Sequence, residues 1–305
     1  MDLNTLYHRT VEAWADRVNA VGTDQWDEPT PCRDWTVRDL VNHVVGEDRW
    51  TVPLVDGRTI EEVGGSLDGD LLGDDPVRSA QDAAQGAATV VAEALPRGGT
   101  VHLSYGEEQL GEYVHQLAAD HLVHAWDLAV ATGGDARLDP EVVTEVAAWY
   151  AEREHLYRGA GMVAPRGVSH GGAQGELLAA FGRDAAWGAD HAGLARFSAA
   201  FGRGDVDAIM ALSTDDCVFE ATGPAPDGER YEGAAAIRRV WDQLFGETGD
   251  PAFIEEESFL CGDRAVLRWR FEWRDAEGEP GHVRGVDVLR LRDGKVCEKL
   301  SYVKG

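Results

Sequence analysis

Asp120 and His124 stand four residues apart in Asp120-His121-Leu122-Val123-His124-Ala125-Trp126-Asp127. On a helix this spacing stacks a carboxylate and an imidazole on one face, one turn apart. Such a pair can share a metal ion, but it needs at least one ligand from elsewhere. The best candidate is His43, in Val41-Asn42-His43-Val44-Val45-Gly46-Glu47. Two imidazoles and a carboxylate leave one coordination position open, which is the pattern of a catalytic zinc site. A thiol entering that position loses its proton and becomes a nucleophile at neutral pH. The same donor set can hold non-haem iron(II).

Other residues could support this centre. Glu47 lies four after His43, on the same side, and is read as a catalytic neighbour or as a replacement ligand. Asp127 lies three after His124 and is expected to orient an imidazole or to cap a neighbouring helix. Arg183, in Gly182-Arg183-Asp184, could grip a carboxylate of substrate or thiol bidentately; a structural salt bridge is the competing reading. His121 is rotated about 100° from Asp120, which predicts a surface position. Cys32, between Pro31 and Arg33, reads as an ordinary thiol. Trp35 and Trp126 read as core packing.

These residues must be positioned by helices. Leu3, Leu6, Tyr7, Val11, Trp14, Val18 and Val21 repeat at helical spacing. A second helix is predicted from about Thr36 to Thr51, opened by the capping signal Thr36-Val37-Arg38-Asp39. Pro53 to Pro76, rich in Gly and Asp, predicts a long and mostly irregular connection. A third helix covers about Val77 to Leu95 and ends at Pro96-Arg97-Gly98-Gly99. Thr100 to Ser104 is a short extended piece. The Asp120/His124 helix runs from about Glu108 to Ala131. Asp139-Pro140-Glu141 opens another helix, and a short one follows around Glu176 to Phe181. Amphipathic helices without a strand run are a bundle pattern.

Near Trp187 the pattern changes. Two short helices, 190–202 and 205–212, precede runs of period two at Cys217–Ala221, Phe253–Cys261, Ala265–Arg274, Gly281–Arg292 and Lys295–Val303. A helix over Ala234–Phe245 interrupts the early strands. Helices followed by an antiparallel meander make an α+β domain. The fold class predicted is therefore two domains, an all-α bundle over residues 1–187 and a cone-shaped α+β domain over 188–305. Candidate pocket residues in the second are Asp216, Glu220, Trp269, Trp273, His282 and Asp287. Asp287 is taken as its catalytic acid or base, because a buried Asp with raised pKa suits that work. Alternation puts Trp269, Phe271 and Trp273 on one face, which suits a cone lining and core packing equally.

The 305 residues suffice for two ordinary domains, and 44% hydrophobic content supports packed cores. A net charge of −27 excludes a nucleic-acid partner and an anionic membrane surface. No apolar run is long enough for a membrane helix. The N-terminus lacks the regions of a signal peptide, so a cytoplasmic location is expected. Four cysteines without a C-x-x-C pair argue against a disulfide framework or a Cys-based zinc site.

Three blocks carry a family resemblance. They are Pro31-Cys32-Arg33-Asp34-Trp35-Thr36-Val37-Arg38-Asp39-Leu40-Val41-Asn42-His43, then His124-Ala125-Trp126-Asp127-Leu128-Ala129, then Phe181-Gly182-Arg183-Asp184. Together they resemble the mycothiol-dependent maleylpyruvate isomerase family, within the DinB-like four-helix bundles. The resemblance covers roughly the first 187 residues. It implies a metal, usually zinc, held by His43, Asp120 and His124, with Asp where the isomerase has Glu; iron or another divalent metal is the alternative. It implies mycothiol as cosubstrate, with Arg183 placed to hold it. The implied chemistry is addition of the thiolate to an electrophilic carbon of a small molecule, then rotation and thiol loss for isomerisation, or S-transfer with a different leaving group.

The second part, with Phe197-Ser198-Ala199-Ala200-Phe201-Gly202-Arg203-Gly204-Asp205, Tyr231-Glu232-Gly233-Ala234 and Arg292-Asp293-Gly294-Lys295-Val296, resembles the SnoaL-like branch of the nuclear-transport-factor-2-like cones. That fold hosts many chemistries. It keeps open a polyketide-cyclase-like activity, or a non-catalytic small-molecule-binding role, for residues 190–305. Fold analogy also implies a homodimer through its open sheet.

Overall fold

The structure is a computed structural model that describes residues 1–247, 249–274 and 278–304. The chain divides into two compact units, Met1–Trp187 and Gly188–Gly305.

The first unit is built on four long helices, α1 (Leu3–Asn19), α2 (Val37–Val55), α4 (Pro76–Ala94) and α5 (Leu110–Thr132). They pack in a ring, α1 against α5, α5 against α2, α2 against α4 and α4 against α1. Their starts follow local chemistry. Asp2 accepts from Thr5 N at the head of α1. Thr36 and Asp39 form a reciprocal capping box at the head of α2. The connection after α2 is less irregular than its composition predicts. α2 runs through Pro53 to Val55, because Leu54 is buried and the last turn is tied by Asp56 N to Val52 O. A short helix, α3 (Ile60–Val63), with its own capping box, follows. Strands β1 (Thr100–Leu103) and β2 (Gly106–Gln109) form a hairpin, so the bundle carries one small sheet.

α5 is the spine of this unit. Fifteen of its residues are buried, on all sides of the helix, among them His121, His124 and Asp127. A helix buried all round belongs in the middle of a packed domain. α6 (Pro140–Ala151), α7 (Glu154–Gly159) and α8 (Gly172–Ala180) complete the unit. Gly182, at φ 79°, turns the chain after α8 where a Cβ would lie 2.8 Å from that of Ala164.

The second unit sets α9 (Ala189–Gly202), α10 (Val206–Ala211) and α11 (Ala234–Glu247) with a six-stranded sheet. Its strands are β3 (Ser213–Glu220), β4 (Arg230–Glu232), β5 (Gly249–Cys261), β6 (Arg264–Arg274), β7 (Pro280–Arg292) and β8 (Lys295–Val303), in the order β4-β3-β8-β7-β6-β5. Among the described residues, β3 and β8 are the one pair that runs parallel. The core is aromatic. Phe253 packs on Phe271 at 4.4 Å and on Trp269 at 5.6 Å between ring centroids, and Phe271 stacks on Trp273 at 5.5 Å. The architecture is the two-domain one, a helical bundle followed by an α+β cone.

Candidate metal centre

α2 and α5 bring three side chains together. Asp120 Oδ1 lies 3.3 Å from His124 Nε2, and Asp120 Oδ2 lies 3.6 Å from His43 Nε2. One ligand atom from each of the three falls within 4.8 Å of the others. The imidazoles of His43 and His124 meet edge to face at 5.1 Å, and the half-buried Trp35 ring packs beside both, at 4.9 and 6.2 Å. Trp35 is therefore a wall of the site as well as packing.

The other nitrogen of His124 decides the chemistry. Nδ1 donates to Asp127 Oδ2 at 2.9 Å. A carboxylate only accepts, so this bond places a proton on Nδ1 and turns Nε2 toward the Asp120 carboxylate, where it can carry a proton or bind a metal. Two lone pairs face each other unless a cation, proton or metal, lies between them. Asp120 Oδ2 is buried with no hydrogen-bond partner, and its carboxylate is half-buried. The donor set fits a divalent metal with an open position. Burial works against ionisation of Asp120, but the charges of His124 and His43 hold it well below the ordinary carboxylate range. His124 is likewise disfavoured by burial and raised above its ordinary value by Asp120 and Asp127.

Behind His124 runs a fixed chain. Asp127 is fully buried, and Arg183 clamps it through Nε at 3.1 Å and Nη2 at 2.7 Å. Two further Arg183 N–H groups go to Phe181 O at 2.8 Å and Cys32 Sγ at 3.1 Å. Burial opposes the charge of Asp127, but Arg183 and His124 draw its pKa down to about 2. The expectation that Arg183 grips a substrate carboxylate is thus met by a different arrangement. Its fork is spent on Asp127, and it acts on the imidazole from behind. Cys32, His124 and Asp127 also sit within metal-ligand spacing. That corner already holds the Arg183 cation, so the group on the Nε2 side is the better fit for a divalent metal.

Glu47 and Asp120 line one cavity of about 640 Å³ with His43, His124, Cys32 and Arg183. Burial first, and the charge of Asp120 second, raise the Glu47 carboxyl above its ordinary value.

Two expectations change. His121 is not on the surface; it is fully buried, with Nδ1 donating to Leu117 O at 2.8 Å and Nε2 lying 3.2 Å from Asp48 Oδ1. The rotation argument assumes that α5 has a solvent face at that point, and it has none. Cys32 is not an isolated thiol, since Sγ lies 3.4 Å from Asp127 Oδ2 and touches Arg183. Asp48 escaped sequence reasoning altogether. Its only signal is a carboxylate at an apolar-stripe position of α2.

In the second unit Asp287 is buried against Lys299 Nζ at 2.8 Å, and accepts from Ser301 Oγ at 2.6 Å. Lys299 Nζ also lies over the rings of Phe201, Phe219 and Trp241 at 5.1 to 5.6 Å. Asp216, in the middle of β3, is exposed and paired with Arg292, so it does not line an interior pocket. His282 faces Glu272 across the β6–β7 pair.

The comparisons agree with this division. The family model of the mycothiol maleylpyruvate isomerase N-terminal domain matches residues 7–129, and that of the SnoaL-like domain matches residues 194–299. An uncharacterized protein of Mycobacterium tuberculosis, found in two strains, is 34% identical over 149 residues, which are 48% of this chain and 75% of that protein. Among solved structures, an NTF2-like protein of unknown function from Mesorhizobium loti is similar at 38% identity and TM-score 0.34, over 38% of this chain and 92% of that one. A putative polyketide cyclase from Sinorhizobium meliloti is similar at 23% identity and TM-score 0.30, over 36% and 92%. No described helix is long and apolar enough to cross a membrane. By these matches the chain belongs to the family of the mycothiol maleylpyruvate isomerase N-terminal domain, and it carries a SnoaL-like domain behind it.

Proposed function

We propose that the first unit is a metal-dependent enzyme that activates a low-molecular-weight thiol, mycothiol by family, for attack on an electrophilic small molecule. The observation that carries this is the convergence of His124 Nε2 and His43 Nε2 on the Asp120 carboxylate, at 3.3 and 3.6 Å. Zinc held by His43, Asp120 and His124 would supply Lewis acidity, which favours the thiolate over the thiol at neutral pH. Every other role falls to side chains of this chain. Asp127 and Arg183 fix the tautomer and the ring plane of His124. Glu47, with its pKa raised, is the group suited to take the proton a thiol gives up. Trp35 covers the imidazoles and keeps water from that flank.

The reaction needs no redox partner. A C–S bond forms, the π pair of the acceptor moves to its conjugated oxygen, and the proton held by Glu47 can return when the thiol leaves. Isomerisation and S-transfer share these first events.

The test is elemental analysis of the purified protein beside His43→Ala and His124→Ala. We expect about one zinc per chain in the wild type, loss in both folded variants, and mycothiol-dependent turnover of an unsaturated acceptor only in the wild type. Wild-type protein that takes up no divalent metal would sink this reading. Bound iron would favour oxygen-dependent chemistry on the same ligands.

A further inference from the structure

One wall of the cavity at the candidate ligands is neither helix nor strand. In Gly159-Ala160-Gly161-Met162-Val163-Ala164-Pro165-Arg166-Gly167 glycines and a proline stop α7, and residues 162–170 take no regular structure. Met162, Val163 and Ala164 nevertheless line the same cavity as Cys32, His43 and His124. None of residues 162–170 is fully buried, and Met162 is 54% exposed, so this segment forms the outer lip of the cavity.

Its two halves are held differently. From Gly167 onward the backbone is pinned. Gly167 N donates to Ala179 O at 2.8 Å, and Ala185 N to Val168 O at 3.0 Å. A Cβ on Gly167 would lie 2.0 Å from Arg183 O, and one on Gly175 would lie 2.1 Å from Ser169 O, so the chain is clasped against α8 and the turn after it. Residues 162–166 have no such clasp. They start from Gly161, at φ 72°, a conformation that glycine reaches without strain. Among the described residues they make one backbone–backbone bond, Met162 N to Tyr157 O at 3.0 Å. Their apolar anchor is Val163, which packs at the edge of the core while still partly exposed.

The rest of the anchoring is charge. Glu154, in the first turn of α7, accepts from Arg166 Nη1 at 2.9 Å and from Arg158 Nη2 at 2.8 Å. Arg158 Nη1 in turn donates to Ala164 O. Arg166 Nη2 reaches Glu176 on α8 at 3.1 Å. Arg166 and Glu176 are 46% and 57% exposed. Ion pairs this wet shift an equilibrium by no more than about fivefold each, and salt screens them.

We propose that residues 162–166 are a hinged flap at the mouth of this cavity, latched by Glu154 through Arg158 and Arg166, and that a small-molecule ligand enters when the latch opens. A weak latch opens and recloses locally while the helices stay folded, and ionic strength sets how often. The proposal rests on the cavity and not on the thiol-activating reading, so its test needs neither metal nor turnover.

Cys32 reports on access, because it lines the cavity. The probe is iodoacetamide, which is uncharged, so salt does not act on the reagent. It is added to the full-length protein, and alkylated peptides are quantified by mass spectrometry with the exposed Cys261 as internal reference. We expect Cys32 labelling, relative to Cys261, to rise about threefold in Glu154→Gln. It should rise about as much in the wild type when sodium chloride goes from about 0.05 to about 0.5 M. In Glu154→Gln the salt response should vanish, since the latch is already lost. Glu141→Gln, which breaks an exposed pair with Arg9, should behave as the wild type. Hydrogen exchange separates a flap from general loosening: residues 162–166 should exchange faster in Glu154→Gln, with 167–170 and α5 unchanged. Cys32 labelling that is indifferent to Glu154→Gln, or faster exchange that spreads to α5, overturns the proposal. So does an equal rise in Glu141→Gln, which would trace the effect to surface charge in general. Absent metal or absent thiol-dependent turnover, with this gating intact, would count against the thiol-activating reading alone.

Discussion

The carboxylate of Asp127 touches no cavity chemistry directly, yet most of the centre's geometry passes through it. It accepts from His124 Nδ1 and is clamped by Arg183. Asp127→Asn keeps the shape but weakens the acceptor. Metal affinity should fall about 10- to 100-fold, as for other partners of ligating imidazoles, read by competition with a chelating dye. An unchanged affinity would mean that His124 is held by packing alone. The same residue sets a pH dependence in the metal-free protein. Its folded pKa is about 2 against an ordinary 3.8, so it stabilises the fold above about pH 4, and that contribution is lost as pH falls toward 2. The amount is about 2 kcal/mol. Denaturant midpoints between pH 5 and 2 should fall more steeply in the wild type than in Asp127→Asn. Parallel curves would remove the assignment. His43, Asp120 and His124 were legible in the sequence because i,i+4 spacing and one block on an earlier helix point to them. The Arg183–Asp127 pairing was not, since 56 positions separate the partners and only the packed fold joins them.

Between elements, the question is what keeps His43 on α2 in register with Asp120 and His124 on α5. The buried pair Asp48–His121 joins the same two helices, with both side chains fully buried. Burial lowers the charged form of His121, but Asp48 more than offsets this and raises it. A buried pair contributes little net stability, because desolvation cancels much of the attraction, but losing one partner strands a charge. Asp48→Ala should therefore cost about 3–5 kcal/mol. The double change Asp48→Leu with His121→Leu should recover most of that, while zinc affinity stays about tenfold weaker because register is no longer fixed. Full recovery of both would make the pair dispensable packing. Sequence periodicity located α2 and α5 well because their apolar repeats are long. It misplaced His121 because amphipathic reasoning presumes a wet face, and α5 is enclosed. It ended α2 early, at about Thr51 ahead of Pro53, since proline removes one backbone donor, but a buried Leu54 carries the helix about one turn further, to Val55.

At the scale of the molecule, each unit has its own core and its own buried polar group. The first holds the candidate metal centre. The second holds Asp287, Ser301 and Lys299, with Lys299 set over three aromatic rings. The aromatic strands and the helices ahead of them were readable from period-two runs and from the break near Trp187. The three-residue strand β4 was not, because it is too short to show a period. If metal binding lives wholly in the first unit, residues 1–187 expressed alone should fold and take up zinc as the full chain does. Ligand binding stabilises only the state that binds, so free zinc at about 100 times its dissociation constant should add about 2.7 kcal/mol to that fragment. Residues 188–305 should unfold at a midpoint indifferent to zinc. In that second fragment Lys299→Met should be costly, by about 3–5 kcal/mol, because it leaves Asp287 buried without its partner; pairing it with Asp287→Leu should restore the midpoint. A fragment 1–187 that folds without binding zinc, while the full chain binds, would place a missing ligand in the second unit and would require the centre to be redrawn.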